Sequence, residues 1–298
     1  MLALLYKRLT ERDFRVLLSV EAGLARFEYV PVEFIVRKSR LPESVASSVL
    51  SKLNKLKLLE RRVGNHIGYR LTYLGMDIIA LHSLVERGVV HALGDKLGVG
   101  KESEVYSGLT PSGDRIIVKF HKLGRTSFHK VARVRPYVVD RPYMSWLQLA
   151  RIAGQREFRA LDELYKAGAL VPKPLGYSRH AVVTEYVWGV ELYRYTSAQD
   201  PEAILAKVLD TVRKAYLDVG IVHGDLSEYN IIVSVEEDGN EVPYVIDWPQ
   251  YVERDNPAAE SLLRRDVEYI VKFFNKKYKL NVDLEKALRY VKGEAESL

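Results

Sequence analysis

His223-Gly224-Asp225-Leu226-Ser227-Glu228-Tyr229-Asn230 decides how this chain is read. A carboxylate and, five positions on, a side-chain amide sit in one short loop, so both oxygens can reach one phosphoryl group. Asp225 can orient an attacking hydroxyl or accept its proton, and Asn230 can offer its amide oxygen to Mg²⁺. Downstream, Val245-Ile246-Asp247-Trp248 sets a second carboxylate at the end of an apolar strand, where a charge is costly unless it meets a metal. Mg²⁺ takes one or two carboxylates and fills the rest of its shell with phosphate oxygens and water.

Upstream, Lys119 lies inside the apolar run Ile116-Ile117-Val118-Lys119-Phe120. A lysine buried there needs an anion. Glu157 is the expected partner: with Ala153, Leu161 and Leu164 it recurs at helical spacing, so it projects from an apolar stripe. Gly98-Val99-Gly100-Lys101-Glu102-Ser103 falls between two predicted strands. Its glycines let backbone approach phosphates closely, although by itself the run also describes an ordinary hairpin turn. The four elements in this order predict a phosphoryl-transfer site between Gly98 and Asp247.

The 298 residues suit about two domains. With 47% hydrophobic and 28% charged residues, the chain reads as globular. No apolar run is long enough to span a membrane, and the N-terminus lacks the marks of a secretory signal. The absence of cysteine excludes disulfide partners and thiolate zinc sites and leads us to expect a cytoplasmic protein. Charge is uneven. Residues 1–92 carry 15 Lys+Arg against 9 Asp+Glu, residues 93–166 carry 14 against 8, and residues 167–298 carry 16 against 22. A basic front suggests a polyanionic partner, an acidic back a cation ligand.

In the first 92 residues, helices are expected at 13–23 with Asp13 as cap, at 31–38, from 43 with Val45, Val49, Leu53 and Leu56 on one face, and from Thr72. Two short strands, at 58–63 and 69–71, enclose a glycine-bounded turn that holds His66. Three helices followed by a basic hairpin form a winged-helix pattern. The third helix, with Lys52 and Lys55, is the expected groove reader, and Arg61, Arg62 and Arg70 load the wing for phosphates. A winged helix used only for protein docking has the same pattern. We expect an α+β protein: a winged helix at 1–92, then a bilobal, truncated protein-kinase-like domain at 93–298, with lobes dividing near 187.

Residues 93–298 resemble protein kinases, and more closely the RIO family of atypical kinases. The similarity rests on Gly-x-Gly-Lys-Glu-Ser at 98–103, His-Gly-Asp at 223–225 and Ile-Asp-Trp-Pro at 246–249. The subfamily with an N-terminal winged helix also has Asp255-Asn256-Pro257 and Arg265-Asp266-Val267-Glu268. The resemblance implies an ATP-dependent serine/threonine kinase or ATPase of small ribosomal subunit maturation that contacts rRNA. It implies Mg²⁺, or Mn²⁺ in its place. It makes Gly98, Gly100, Lys101, Glu102, Ser103 and Val105 the loop over ATP, and Lys119 with Glu157 the phosphate-binding pair. The backbone of Glu185 and Val187 would meet adenine, Asp225 would be the catalytic base, and Asn230 and Asp247 would hold metal. Asp247 has a second implied role, accepting the phosphoryl group itself as an acyl phosphate.

The chain departs from ordinary kinases in having Ser103 for the third loop glycine and Trp-Pro after Asp247, with no Ala-Pro-Glu beyond. Residues 121–143 hold Lys122, Arg125, Lys130, Arg133, Arg135 and Arg141 against Asp140 alone, with Thr126 and Ser127 as hydroxyls among them and Ser127 as the candidate autophosphorylation site. That segment reads either as a basic mobile loop or as a switch. Small-molecule kinases of the aminoglycoside or choline type share His-Gly-Asp and Ile-Asp-Trp, and the winged helix weighs against them. A nucleotide-sensing DNA-binding regulator is the third reading.

Overall fold

The computed structural model describes residues 2–64, 67–100, 102–123 and 146–298. Lys101, His66, Thr126, Ser127 and the basic segment from 124 onward lie outside the described residues. The N-terminal elements are α1 (Leu2–Tyr6), α2 (Glu11–Gly23), β1 (Val30–Pro31), α3 (Val32–Ser39), α4 (Glu43–Lys55), β2 (Leu59–Val63), β3 (Ile67–Leu71) and α5 (Tyr73–Glu86). Thr10, not Asp13, caps α2. Asp13 is the reciprocal half of a capping box, its carboxylate accepting the Thr10 N–H at 2.7 Å. Thr72 caps α5, accepting from the Gly75 N–H at 3.1 Å. The hairpin β2–β3 is antiparallel, and β1 adds to the free edge of β3. This is a winged helix.

The next five strands are β4 (Ala92–Val99), β5 (Ser103–Leu109), β6 (Arg115–His121), β7 (Pro174–Ser178) and β8 (Ala181–Glu185). They form an antiparallel sheet in the order β4-β5-β6-β8-β7, crossed by the long helix α6 (Trp146–Lys166). The second lobe holds β9 (Val190–Glu191), β11 (Ile231–Val235) and β12 (Glu241–Val245) in one small sheet, and β10 (Ile221–Val222) paired with β13 (Val252–Glu253). Around them pack α7 (Pro201–Lys214), α8 (Ala259–Tyr278) and α9 (Leu284–Val291). Helix α7 changes its hydrogen bonding at Ala215 and continues as a π-helical turn, Ala215–Val219.

The hydrophobic cores do not follow the division at residue 92. One core is continuous from Leu17, Ile35 and Leu53 of the winged helix to Ile116, Val118, Phe120 and Val183 of the five-stranded sheet. The other fills the second lobe around Trp248, Ile270 and Phe274, and it takes in Ala160, Leu161 and Leu164 from the end of α6. The winged helix therefore packs as part of the first lobe.

A polar joint reinforces that contact. Lys122, expected in the basic loop, is instead buried and ion-paired with both oxygens of Asp77 on α5. The His180 ring donates from Nε2 to the same carboxylate at 2.7 Å. Beside them, Arg179 holds Glu21 of α2 at 2.5 and 2.7 Å and the Ser83 hydroxyl at 2.8 Å. A buried lysine needs an anion, and here a distant helix supplies it, so no local pattern marks the pair. Burial pushes His180 down to about 4 despite the neighbouring carboxylate. Burial works to raise Asp77, but His180 and Lys122 outweigh it and hold the group below the usual range.

The unfolded chain takes up a proton at His180 near its ordinary value of 6.5, and the folded chain only near 4. Stability is therefore lost as pH falls through that interval, by on the order of 3 kcal/mol at pH 4. Loss of the Asp77 charge adds in the same direction at lower pH. His180→Gln should flatten the dependence of the urea midpoint on pH between 6.5 and 4. An unchanged slope would assign the titration to another group.

Candidate active site

Alternation along β6 sets the site. Ile116, Val118 and Phe120 face the first core, so Ile117, Lys119 and His121 face the opposite side. Glu157 meets two of them: Lys119 Nζ donates to Oε1 at 2.6 Å and His121 Nε2 reaches Oε2 at 2.7 Å. Lys119 also donates to Asp247 Oδ1 at 2.5 Å. Glu157 is buried in the apolar face of α6, as its helical spacing predicts. Burial opposes every charge in this cluster. Lys119 is nonetheless raised by Asp247 and Glu157, Glu157 is held below its usual range by Lys119 and His121, and Asp247 is held at about 2 by Lys119. All three are ionised at neutral pH.

Asp247 follows β12 with φ 68°, the left-handed region that Asp tolerates better than most residues. The next residue anchors it: Trp248 is fully buried, and its indole N–H donates to Val245 O at 3.1 Å. Its ring lies against His223, centroids 4.5 Å apart. His223 ties the two motifs together, donating from Nε2 to Ile246 O at 3.0 Å and accepting the Asp225 N–H on Nδ1 at 3.2 Å. These two bonds fix the tautomer.

From below, the buried Asp266 of α8 accepts the N–H groups of Gly224 and Leu226 at 2.7 and 3.3 Å, and Arg265 donates to Gly224 O. Gly224 needs its φ of 78°, and a Cβ there would meet Gln250 O at 3.2 Å. Asn230 Nδ2 donates to Asp225 O at 2.9 Å. Burial raises the Asp225 carboxyl, and the charge on Asp247 adds to that. Asp225 is thus more basic than an ordinary aspartate.

A cleft of about 420 Å³ opens between the lobes. It is lined by Gly98, Ser103, Val105, Lys119, Glu157, Glu185, Val187, Asn230 and Asp247 of the residues the sequence singles out. Gly100, Glu102 and Asp225 are not in that lining. Gly100 donates its N–H to Ser103 O at 2.9 Å, which closes the loop, and Glu102 O accepts the Lys122 N–H at 2.6 Å. The Glu102 carboxylate lies near enough to Asp225 to help raise it. At the back of the cleft the Glu185 N–H is used by Lys173 O, and its carbonyl, which accepts the Thr184 hydroxyl at 3.1 Å, has one lone pair left to offer. The Val187 N–H and C=O have no protein hydrogen bond among the described residues. A free donor and acceptor over an apolar wall suit the edge of a purine base. Asp247 Oδ2 and Asn230 Oδ1, likewise without protein partners there, are the hard oxygen donors that suit Mg²⁺. Among the described residues no group of three or more His, Asp or Glu forms a metal cage.

The residues picked out for nucleic acid are placed differently. Lys52 donates to the buried Asp13 at 2.6 Å, Arg70 pairs with Glu60 at 2.8 Å, and Arg62 stands 3.7 Å from Glu28. Lys55 and Arg61 are exposed and have no ion pair among the described residues. Two residues of the active site were not singled out from sequence. His121 shares a strand face with Lys119, and that spacing of two could have marked it. Asp266 lies in a motif the resemblance includes, but nothing local reveals that it grips the catalytic loop.

A Lys–Glu pair under an antiparallel sheet, bonded through Lys119 to Asp247 and set across from Asp225 and Asn230, defines a phosphotransferase with a protein-kinase fold. Residues 104–287 match the RIO domain family and residues 6–87 match the Rio2 N-terminal domain. The chain is 38% identical to a RIO-type serine/threonine-protein kinase Rio2 of Methanocaldococcus jannaschii, over 89% of this chain and 98% of that one. It is 38% identical to serine/threonine-protein kinase rio2 of Schizosaccharomyces pombe, over 93% and 79%. It superposes with a TM-score of 0.83 on a Rio2 kinase from Chaetomium thermophilum, solved as an ADP/Mg²⁺-phosphoaspartate complex. That match is 32% identical and covers 98% of this chain and 89% of the other. The chain belongs to the RIO family, in its Rio2 branch. No described helix is long and apolar enough to cross a membrane.

Asp266→Ala should leave two loop N–H groups without their acceptor, at a cost of about 1–3 kcal/mol in stability. Because Asp266 grips the Gly224–Leu226 end of the loop, next to Asp225, and not Asn230 at its far end in the cleft wall, kcat should fall by tenfold or more while nucleotide affinity stays within about twofold. Steady-state kinetics with a separate binding titration checks this; equal losses in both would detach Asp266 from the loop's chemistry.

Proposed function

We propose that this protein transfers the γ-phosphoryl group of ATP, with Mg²⁺, to serine or threonine hydroxyls and to its own Asp247, and that it acts in the cytoplasm in maturation of the small ribosomal subunit. The observation that carries the phosphotransfer reading is the triad of Lys119, Glu157 and Asp247 set across from Asp225 and Asn230. Glu157 orients Lys119, whose charge receives the nucleotide phosphates. Val187 and the carbonyl of Glu185 hold the base. Asn230 and Asp247 would hold Mg²⁺, which when bound neutralises charge developing on the phosphates. Asp225, raised by burial, takes the proton of an attacking hydroxyl. Membership in the Rio2 branch decides against a small-molecule kinase.

Transfer to Asp247 is supported by the phosphoaspartate of the Chaetomium kinase and by the carboxylate itself, ionised and with Oδ2 unengaged by the described residues. Oδ2 attacks the γ-phosphorus, the bond from that phosphorus to the β–γ bridging oxygen breaks, and ADP leaves. Water then cleaves the acyl phosphate to inorganic phosphate and free Asp247, so the net reaction is ATP hydrolysis. After incubation with γ-labelled ATP and acid quench, label should sit on Asp247 and be released by hydroxylamine. Asp225→Asn should cut hydroxyl phosphorylation by at least a hundredfold with ATP binding nearly unchanged. Label confined to Ser127 or another hydroxyl would leave a kinase without the aspartyl intermediate, and wild-type turnover by Asp225→Asn would remove the base.

The partner reading, pre-ribosomal small subunit and its rRNA, is supported by the six excess positive charges of residues 1–92 and by Lys55 and Arg61, exposed and without an ion pair among the described residues. Phosphate neutralisation releases counterions, so binding to small-subunit rRNA should weaken steeply with salt. Lys55→Glu with Arg61→Glu should lower the slope of log affinity against log salt by about 2. A slope equal to wild type would move the contact off the third helix and wing.

A further inference from the structure

We infer that Asp77, a side chain of the winged-helix domain, is a positioning residue of the phosphotransfer cleft. The inference rests on the nucleotide reading above and adds a determinant from outside the kinase lobes. The Asp77 carboxylate grips two side chains of the first lobe, Lys122 on one side and the His180 ring on the other. Each of those residues passes the constraint on through its backbone. The Lys122 N–H donates to Glu102 O at 2.6 Å, which fixes the returning limb of the glycine loop over the cleft. The His180 carbonyl accepts the His121 N–H at 3.0 Å. His121 in turn holds Glu157 Oε2, leaving Oε1 for Lys119.

Two routes of hydrogen bonds therefore lead from one winged-helix carboxylate, through Lys122 and through His180, to the two devices that grip phosphate, the loop and the Lys119–Glu157 pair. The route is rigid. Asp77, Lys122, His121, His180 and Glu157 are each less than a tenth exposed. Helix α6 lies so close to the His180 turn that a Cβ on Gly154 would come within 2.8 Å of Arg179 O and 2.9 Å of His180 Cα. Lys122 is also packed over the ring of Tyr73, whose hydroxyl donates to Leu123 O, so α5 touches the end of β6 a second time. None of these residues except Glu157 lines the cleft, and Asp77 touches no group expected on the nucleotide. Its effect is on placement, and it should be felt in the hold on ATP more than in the chemical step at Asp225.

The test uses full-length protein, with ATP turnover and ADP binding measured well below the melting temperature of every variant. Asp77→Asn keeps the shape of the carboxylate and removes its charge. We expect KM for ATP and the ADP dissociation constant to rise about tenfold, as for loss of a hydrogen bond to a charged group, with kcat changed less than threefold. Asp77→Glu should recover part of the loss. Leu53→Ala, a cavity in the same core far from this route, should lower the melting temperature and leave both constants unchanged. Wild-type constants in Asp77→Asn, or the same rise in Leu53→Ala, would overturn the inference. If Asp77→Asn does not fold, Asp77→Leu with Lys122→Met removes both charges at similar volume. That pair should fold and still show the raised KM, and a wild-type KM in it would overturn the inference equally. A wild-type protein that binds no ADP at all would sink the nucleotide reading itself, a result distinct from any of these.

Discussion

The Glu157 carboxylate is the constraint on which the rest depends. Its two oxygens are spoken for, one by Lys119 and one by His121, and the helix that carries it is rooted in the core of the other lobe. One charged group thus ties the five-stranded sheet to the second lobe through the middle of the cleft. Removing a partner from a buried pair of this kind leaves an uncompensated charge, at about 3–5 kcal/mol. The arrangement persists because both members of the central pair have a second neighbour. Lys119 is shared between Glu157 and Asp247, and Glu157 between Lys119 and His121.

The catalytic loop is held by a different principle. Its backbone is gripped by side chains from elements that never approach the phosphates. Asp266 takes two N–H groups from below, and His223 clamps the loop to the strand before Asp247, with Trp248 locked beneath. Among the described residues the Asp225 carboxylate has no hydrogen-bond partner. A group that must gain and lose a proton is poorly served by strong hydrogen bonds to its charged form, which would hold its pKa down. Orientation is supplied through the backbone, and basicity through burial.

Much of this was legible in the sequence because it is local. A short apolar run marks β6 and the buried position of Lys119, period 3.6 marks Glu157 on its helix, and the loop of residues 223–230 declares its two oxygens by spacing alone. What escaped is non-local. Lys122 reads as one more basic residue beside Arg125 and Lys130, because its carboxylate partner is 45 positions away on a helix of another domain. The boundary near residue 92 follows a change from helical to strand pattern, and no pattern reports that the apolar faces on either side close on each other. Lys52 reads as a groove contact because its helix face is polar, whereas the structure spends it on Asp13. Pairings that cross the chain are decided by packing, and one sequence does not record them.

The continuous core between the winged helix and the first lobe has a mechanical corollary. Two bodies that share one hydrophobic interior have no soft joint between them, so they turn together. Of the described links, the segment after Glu185 crosses to the second lobe, and there a Cβ on Gly189 would meet Val233 O at 2.4 Å. Any rocking of the lobes about that crossing swings the winged helix as a lever arm, multiplying a small angle at the nucleotide into a larger sweep at α4 and the β2–β3 hairpin. A polyanion spanning the winged helix and the second lobe would then experience the state of the cleft as a change in span. The cleft, for its part, would sense how far apart its two handles are held.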